Sequence, residues 1–332
     1  MEINPVHMQK TILITGAAGF IGSHLCEALL KEGYKVYGID NFDSFYSREI
    51  KQRNLEQCLQ SSNFTFIEGD AGDVSVLNSL SGKVEVVTHL AAKAGVLPSI
   101  KNPQAYIRSN IEVTNSLLEW MKREKIKKFV FASSSSVYGN NRSIPFCEED
   151  AVNGPISPYA FSKRSCELMN YTYHSLYDFS IINLRFFTVY GERQRPDLAI
   201  HKFVNSIFKG KPITIYGDGS TARDYTYYTD TVSGIISSIQ YIEQHENVWE
   251  IINLGNHTPV KLIDLVNAIS QVAGKEPKLV YEDDKPGDVN ITFANIEKAT
   301  RILSYQPKIM LEEGLENFVQ WYQQHFLEET VK

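Results

Sequence analysis

The chain has 332 residues, room for one large or two modest domains with a sizeable core, and its 43% hydrophobic and 22% charged content is that of a soluble globular protein. A net charge of −6 with scattered basic residues gives no reason to expect nucleic acid, and no run approaches the ~18 apolar residues that cross a membrane. Cys26, Cys58, Cys147 and Cys166 show no C-x-x-C spacing, so free thiols in a cytoplasmic protein are expected, with no metal site; residues 1–10 are polar and lack an apolar signal core.

Residues 11–15 are a short apolar, β-branched run and predict a buried strand. Gly16, Gly19 and Gly22 follow in a G-x-x-G-x-x-G turn that also holds Phe20 and Ile21. A helical pattern then runs through Leu25, Leu29 and Leu30 and closes at Gly33. Residues 35–39 form the next strand, with Asp40 at its end. A glycine turn in this strand–helix–strand context points to a dinucleotide. The glycines let a pyrophosphate approach the helix N-terminus, where free N–H groups and the helix dipole stabilise an anion. Asp40 is placed to accept hydrogen bonds from an adenosine ribose and to repel a 2′-phosphate, so NAD is favoured over NADP.

The alternation continues. Strands are predicted at 64–67, 84–90, 127–132 and 181–187, with helices over 103–124 and 157–177. Alternating strands and helices predict an α/β fold with a parallel, doubly wound sheet that binds ligands beyond the C-terminal strand ends. The small-residue turn at 91–95, the serine run from Ser133 and the region after Phe187 fall at that edge. Ser157-Pro158 is a good helix opening, a hydroxyl cap followed by a proline where no N–H is needed. On that helix Tyr159 and Lys163 stand four apart and share a face. Alone this pair is common on helices. Next to a serine run at the same edge, it can be a phenol tuned by an ammonium to take a proton from an alcohol.

After Gly191 the alternation breaks down. A short helix is expected at 199–209, helices at 229–242, 262–272 and 311–326, and a strand at 249–253 that is expected to rejoin the sheet. The expected division is a dinucleotide domain over 1–191, rejoined by about 224–255, and a smaller mixed α/β cap built from 192–223 and 256–332.

These pieces resemble an extended short-chain dehydrogenase/reductase of the nucleotide-sugar epimerase/dehydratase group. The likeness covers nearly the whole chain. It rests on Gly16 to Gly22, Asp40, His89-Leu90-Ala91-Ala92, the serines before Val137-Tyr138-Gly139, Tyr159 with Lys163, and Arg223-Asp224-Tyr225-Thr226-Tyr227. Within the group the chain is most similar to UDP-glucuronate 4-epimerases, through Asp40-Asn41-Phe42 with Tyr46, the stretches 131–139 and 184–191, Arg193-Gln194-Arg195-Pro196-Asp197 and Gly287-Asp288-Val289.

The resemblance implies a Rossmann-type fold holding NAD. Asn41, Asp70, Ala71, Leu90, Ala91, Ala92, Ser109 and Phe187 would join the glycine turn, Asp40, Tyr159 and Lys163 around the cofactor. Tyr159 would take the 4-OH proton, assisted by Ser134, while Lys163 lowers the tyrosine pKa and binds the nicotinamide ribose. Arg195 and Arg223 would pair with the UDP diphosphate, Thr214 and Tyr216 would line the uracil, and Lys285 and Asp288 would complete the nucleotide end. Related dehydratases carry Asp-Glu where Ser135 and Ser136 stand here, and decarboxylases carry Glu at the second place. Without those carboxylates 4-epimerisation remains, and Ser135, Ser136 and Thr188 could hold a uronate carboxylate. Two departures are Leu97, where glucuronate epimerases usually show arginine, and Lys285, where galactose-type epimerases show arginine. Neutral or N-acetylated UDP-hexoses, a dehydratase and a non-catalytic NAD(H) sensor are the alternatives. Related enzymes commonly pair the helices at 103–124 and 157–177 into a four-helix bundle, which implies a homodimer.

Overall fold

Strands that are apolar on both faces need cover on both, and the chain supplies it by crossing a face of the sheet between successive strands. The computed structural model describes residues 10–283 and 289–327. Its strands are β1 (Thr11–Thr15), β2 (Lys35–Asp40), β3 (Phe64–Glu68), β4 (Val86–His89), β5 (Lys128–Ser134), β6 (Ser180–Phe186), β7 (Thr188–Tyr190), β8 (Pro212–Tyr216), β9 (Ala222–Tyr227), β10 (Trp249–Leu254), β11 (Pro259–Lys261) and β12 (Lys278–Glu282). Seven of them form one parallel sheet in the order β10-β6-β5-β4-β1-β2-β3. This is a Rossmann-type doubly wound sheet, and the order reverses between β1 and β4, where a crevice opens.

Period-two alternation divides the core. Ile12 and Ile14 of β1 and Val36 of β2 pack on one face, under the helices Phe20–Lys31 and Tyr228–Gln244. Leu13, Tyr37, Phe129 and Phe131 face the other side, under Val113–Glu124 and Pro158–Tyr177. Strand β10 returns from late in the chain to pair with β6 at the sheet edge.

The later segments add a three-stranded sheet, β11-β9-β7, and the parallel pair β12-β8. Ile213, Ile215, Tyr225, Leu265 and Phe318 pack together there as a separate core. No helix among the described residues is long and apolar enough to cross a membrane.

Several elements depart from expectation. The stretch 103–124 is not one α-helix: Pro103–Tyr106 and Val113–Glu124 flank a widened π-type segment, Ile107–Glu112. Inside it the Asn110 side chain accepts from the Lys93 N–H and donates to the Lys93 carbonyl, tying the helix to the turn after β4. The helix Arg48–Leu55 was not foreseen, because its buried positions include Lys51 and Asn54 rather than a run of apolar residues. The short helices Val74–Asn78, Val96–Lys101 and Glu297–Leu303 and the strands β7, β9, β11 and β12 were not anticipated either.

The glycine turn is tightly packed. A methyl group on Gly22 would lie 2.0 Å from the Gly16 carbonyl oxygen, so backbone would have to move. Gly154 has open space around its Cβ position. Gly22→Ala is therefore expected to lower the melting temperature by about 5 °C, from overpacking of about 2 kcal/mol. Gly154→Ala should leave it within about 1 °C. Calorimetry of the two variants checks this.

Candidate active site

A cavity of about 530 Å³ opens beyond the C-terminal ends of β1, β2, β4 and β5. Its floor is the glycine turn. Gly16 has φ +75°, and a Cβ there would sit 2.9 Å from the Ala91 nitrogen. The helix that follows has no side-chain cap and no acidic residue in its first turn, so its leading N–H groups remain available to an anion.

At the end of β2, Asp40 is buried and turned back onto the glycine turn. Its Oδ2 accepts from the Ala18 N–H at 3.2 Å and its Oδ1 from the Phe42 N–H at 2.8 Å. The Lys51 Nζ lies 3.5 Å from the same carboxylate. Asn41 donates to Asp70 at 2.9 Å. The hydroxyl of Tyr46 is buried in this wall with no hydrogen-bond partner among the described residues.

The segment from Asn41 to Tyr46 then crosses the mouth. Asp43 is paired with Lys93 from the turn after β4, at 2.8 Å. The Phe45 ring lies 4.8 Å from the Arg195 guanidinium. Arg195 is held by both oxygens of Asp197 at 3.0 Å. The far walls of the cleft are thus joined by one short stretch of chain.

On the opposite side stand the expected proton-transfer groups. The Ser157 hydroxyl accepts from the Ala160 N–H at 3.1 Å and starts the helix, as the Ser-Pro sequence predicts. Tyr159 packs edge-on against Tyr106, with ring centres 6.1 Å apart, and Tyr106 donates to the Ala94 carbonyl at 3.0 Å. Burial pushes the Tyr159 phenol up from its usual range; a hydrogen bond with the Ser134 hydroxyl and the positive charge of Arg195 oppose this. The Ser134 hydroxyl also accepts from the Ser136 N–H at 3.1 Å. Lys163 is almost wholly buried, donates to the Ala132 carbonyl at 2.6 Å and sits 4.9 Å from the centre of the Phe131 ring. Burial lowers its pKa to about 8, opposed by the neighbouring Cys166 and Glu167 side chains. The help that Tyr159 receives here comes from Ser134 and Arg195 rather than from the lysine.

The structure brings together most of the residues nominated from sequence. Gly16, Gly19, Phe20, Ile21, Gly22, Asp40, Asn41, Asp70, Ala71, Leu90, Ala91, Ala92, Ser109 and Phe187 all line this cavity, as do Ser134, Ser135, Ser136, Tyr159, Lys163, Thr188 and Arg195. Thr214, Tyr216 and Arg223 do not; they lie on β8 and β9. The Arg223 Nη1 donates to the Ala222 carbonyl at 2.8 Å. Lys285 and Asp288 lie outside the described residues. Sequence reasoning missed Asp43, Phe45, Lys51 and Lys93, all of which line the cavity. Lys93 was open to notice, since it sits inside the turn already assigned to the ligand edge. Lys51 was hidden because its helix was.

A doubly wound parallel sheet with a glycine turn, and a serine, a tyrosine and a lysine gathered above its strand ends, defines an enzyme of the extended short-chain dehydrogenase/reductase type. Residues 13–318 match the family described as GDP-mannose 4,6 dehydratase, and the chain belongs to that epimerase/dehydratase family. It is similar to the UDP-glucuronate 4-epimerase of Thermodesulfobacterium geofontis, with 42% identity over 312 residues, covering 93% of this chain and 95% of the relative. It is also similar to the crystal structure of the Bacillus cereus UDP-glucuronic acid 4-epimerase in complex with UDP-glucuronic acid and NAD. That match has 39% identity and a TM-score of 0.90, covering 95% of this chain and 100% of the other. A UDP-N-acetylglucosamine 4-epimerase of Methanobrevibacter ruminantium matches at 33% identity and a TM-score of 0.87, covering 96% and 99%.

The lowered Lys163 pKa makes a prediction with a definite sign. Below about pH 8 the lysine is charged in both folded and unfolded chains, and the cost of burying the charge is constant. Between about 8 and the ordinary lysine value of 10.5 the unfolded chain binds more protons, so stability rises with pH. Urea unfolding at pH 7.5 and 10 should therefore show wild type gaining about 2 kcal/mol relative to Lys163→Met.

Proposed function

We propose that the protein is an NAD-dependent UDP-sugar 4-epimerase whose substrate is UDP-glucuronate, converted to UDP-galacturonate. The observation that carries this reading is the meeting of Ser134, Tyr159 and Lys163 with three further hydroxyls, Ser135, Ser136 and Thr188, in one cavity. Neither position 135 nor 136 offers the carboxylate that water elimination needs. The relatives and the solved structures at 39% and 33% identity are themselves 4-epimerases.

The wall fits NAD. The glycine turn leaves no room for side chains where a pyrophosphate would lie, Asp40 offers carboxylate oxygens at the ribose position, and the buried Tyr46 hydroxyl has an unused hydrogen-bonding capacity. Asn41, Asp70, Ala71, Leu90, Ala91, Ala92, Ser109 and Phe187 would complete the cofactor wall. When bound, NAD supplies a reversible acceptor for the hydride at C4 of the sugar. Tyr159 takes the 4-OH proton, and Ser134 shares the hydrogen bond that favours the phenolate. Lys163 is held by the Ala132 carbonyl, and from there it would bind the nicotinamide ribose. The resulting 4-keto uronate is a β-keto acid prone to lose carbon dioxide. Ser135, Ser136 and Thr188 restrain its carboxylate without offering an acid, and Tyr159 returns the proton after the ring has turned.

Residues 192–223 and 256–332 act as the nucleotide-sugar cap. Arg195 exchanges its fork on Asp197 for the diphosphate, joined by Arg223 and Lys285, with Thr214 and Tyr216 at the uracil and Asp288 at the uridine end. Leu97, the departure from the arginine of glucuronate epimerases, is 40% exposed on Val96–Lys101 and does not line the cavity, whereas the Lys93 cation does.

The working form is a cytoplasmic homodimer. Phe161, Leu168, Tyr171 and Leu176 are exposed along one stripe of Pro158–Tyr177, which a second copy would cover, and the four cysteines are free.

The purified protein, given UDP-glucuronate without added NAD and followed by NMR, should form UDP-galacturonate to an equilibrium mixture with no carbon dioxide released. Tyr159→Phe should lower that rate by about 10²-fold or more. Turnover of UDP-glucose or UDP-N-acetylglucosamine alone would reassign the substrate and keep the mechanism.

A further inference from the structure

Behind the serine run lies a set of buried charges that the chemistry above does not use. Glu167 stands one turn beyond Lys163 on the same helix and has no exposed surface. Its Oε1 accepts from the Ser133 hydroxyl at 2.6 Å and from Arg185 Nε at 3.0 Å. Its Oε2 accepts from Arg185 Nη2 and from Arg164 Nη1, each at 3.0 Å. Arg185 is itself buried, lies 4.7 Å from the centre of the Tyr138 ring, and donates to the Glu148 carbonyl at 3.4 Å. Ser133 and Arg185 are opposite one another in the β5–β6 register.

One carboxylate therefore meets three elements. It belongs to the helix that presents Tyr159 and Lys163. It holds β5 one residue before Ser134, and it holds β6 just before Phe187 and Thr188. A buried ion pair is a poor way to gain stability, because desolvation of both charges offsets most of their attraction. Apolar side chains of similar volume would pack these elements at least as firmly. What a carboxylate with four directed hydrogen bonds adds is fixed geometry. Successive strand residues point to opposite faces, so a Ser133 hydroxyl tied to the helix fixes the side on which the Ser134 hydroxyl emerges. The negative charge of Glu167, one turn from Lys163, also favours the ammonium form against burial.

We propose that Glu167 is a positioning residue of the epimerase site: by clamping Ser133 and Arg185 it sets the Ser134 hydroxyl against Tyr159, while touching neither sugar nor cofactor. This rests on the reading of Ser134 and Tyr159 as the proton-transfer pair.

Ser133→Ala removes a single hydroxyl and leaves the Glu167–Arg185 pair intact, so it decides the matter even where Glu167→Gln, which strips Arg185 of its counter-charge, fails to fold. The measurement is kcat and KM against pH for the UDP-sugar that wild type turns over, with a melting curve for each variant. Ser133→Ala should lower kcat by about 10-fold, the scale of a small misplacement of a reacting group. It should leave KM within about 2-fold and move the acidic limb of the kcat profile to higher pH, because Tyr159 loses alignment with the hydroxyl that opposes its burial. The double variant should be no slower than a folded Glu167→Gln. A Ser133→Ala protein with wild-type kcat and pH limb, whatever its melting temperature, overturns the proposal. So does a double variant slower than Glu167→Gln by the full Ser133→Ala factor. A wild type inactive on every UDP-sugar would instead sink the epimerase reading. The clamp would then be read from the ultraviolet titration of Tyr159, taken as the difference from Tyr159→Phe. Ser133→Ala should still shift that titration upward, and an unshifted titration would overturn the clamp.

Discussion

A parallel strand can pair with its neighbour only after the chain has crossed back over a face of the sheet, and this sends every strand out at the same edge. In this protein the constraint places Gly16 after β1, Asp40 at the end of β2, the turn holding Ala91 to Lys93 after β4, and Ser134 to Ser136 at the end of β5 along one rim. None of these segments need find the others by specific contact. They meet because the sheet reverses its order between β1 and β4, and the two sets of crossovers leave in opposite directions. The helix of Tyr159 and Lys163 is one of those crossovers, so it too opens beside the rim.

Within that frame the site is organised by charges kept out of water. Asp40 is committed to two backbone N–H groups and a lysine, Lys163 to a carbonyl, and Glu167 to a serine and two arginines. Each lies where an unpaired charge would be costly, and each is therefore held in a narrow range of positions. Such groups contribute little to net stability. They contribute direction, which proton transfer at C4 of a sugar needs more.

The parallel sheet and its rim were legible because strand identity was written in short β-branched runs and the ligand edge in glycine and serine turns. Tyr159 and Lys163 could be named because helical spacing and the Ser157-Pro158 cap fix their shared face whatever surrounds them. Lys51 could not, since nothing local says that a lysine in a charged octapeptide is buried beside an aspartate. The widened turn at Ile107–Glu112 was equally hidden, for it depends on Asn110 reaching the backbone of Lys93, a contact across 17 positions. The environment of Tyr159 was only half legible: the cation most visible in sequence, Lys163, turns to a carbonyl, and the one acting on the phenol is Arg195, from a loop far along the chain. Short-range spacing fixed which residues share a face; packing between distant segments decided which of them feel each other.

The stretch that joins both walls of the cleft, through Asp43 to Lys93 and Phe45 to Arg195, gives the cavity an inner and an outer compartment. The space beneath that stretch is covered by an ion pair and a ring contact. The space against Arg195 is bounded by the second of these alone. The same few residues thus divide the cavity into a part behind two contacts and a part behind one.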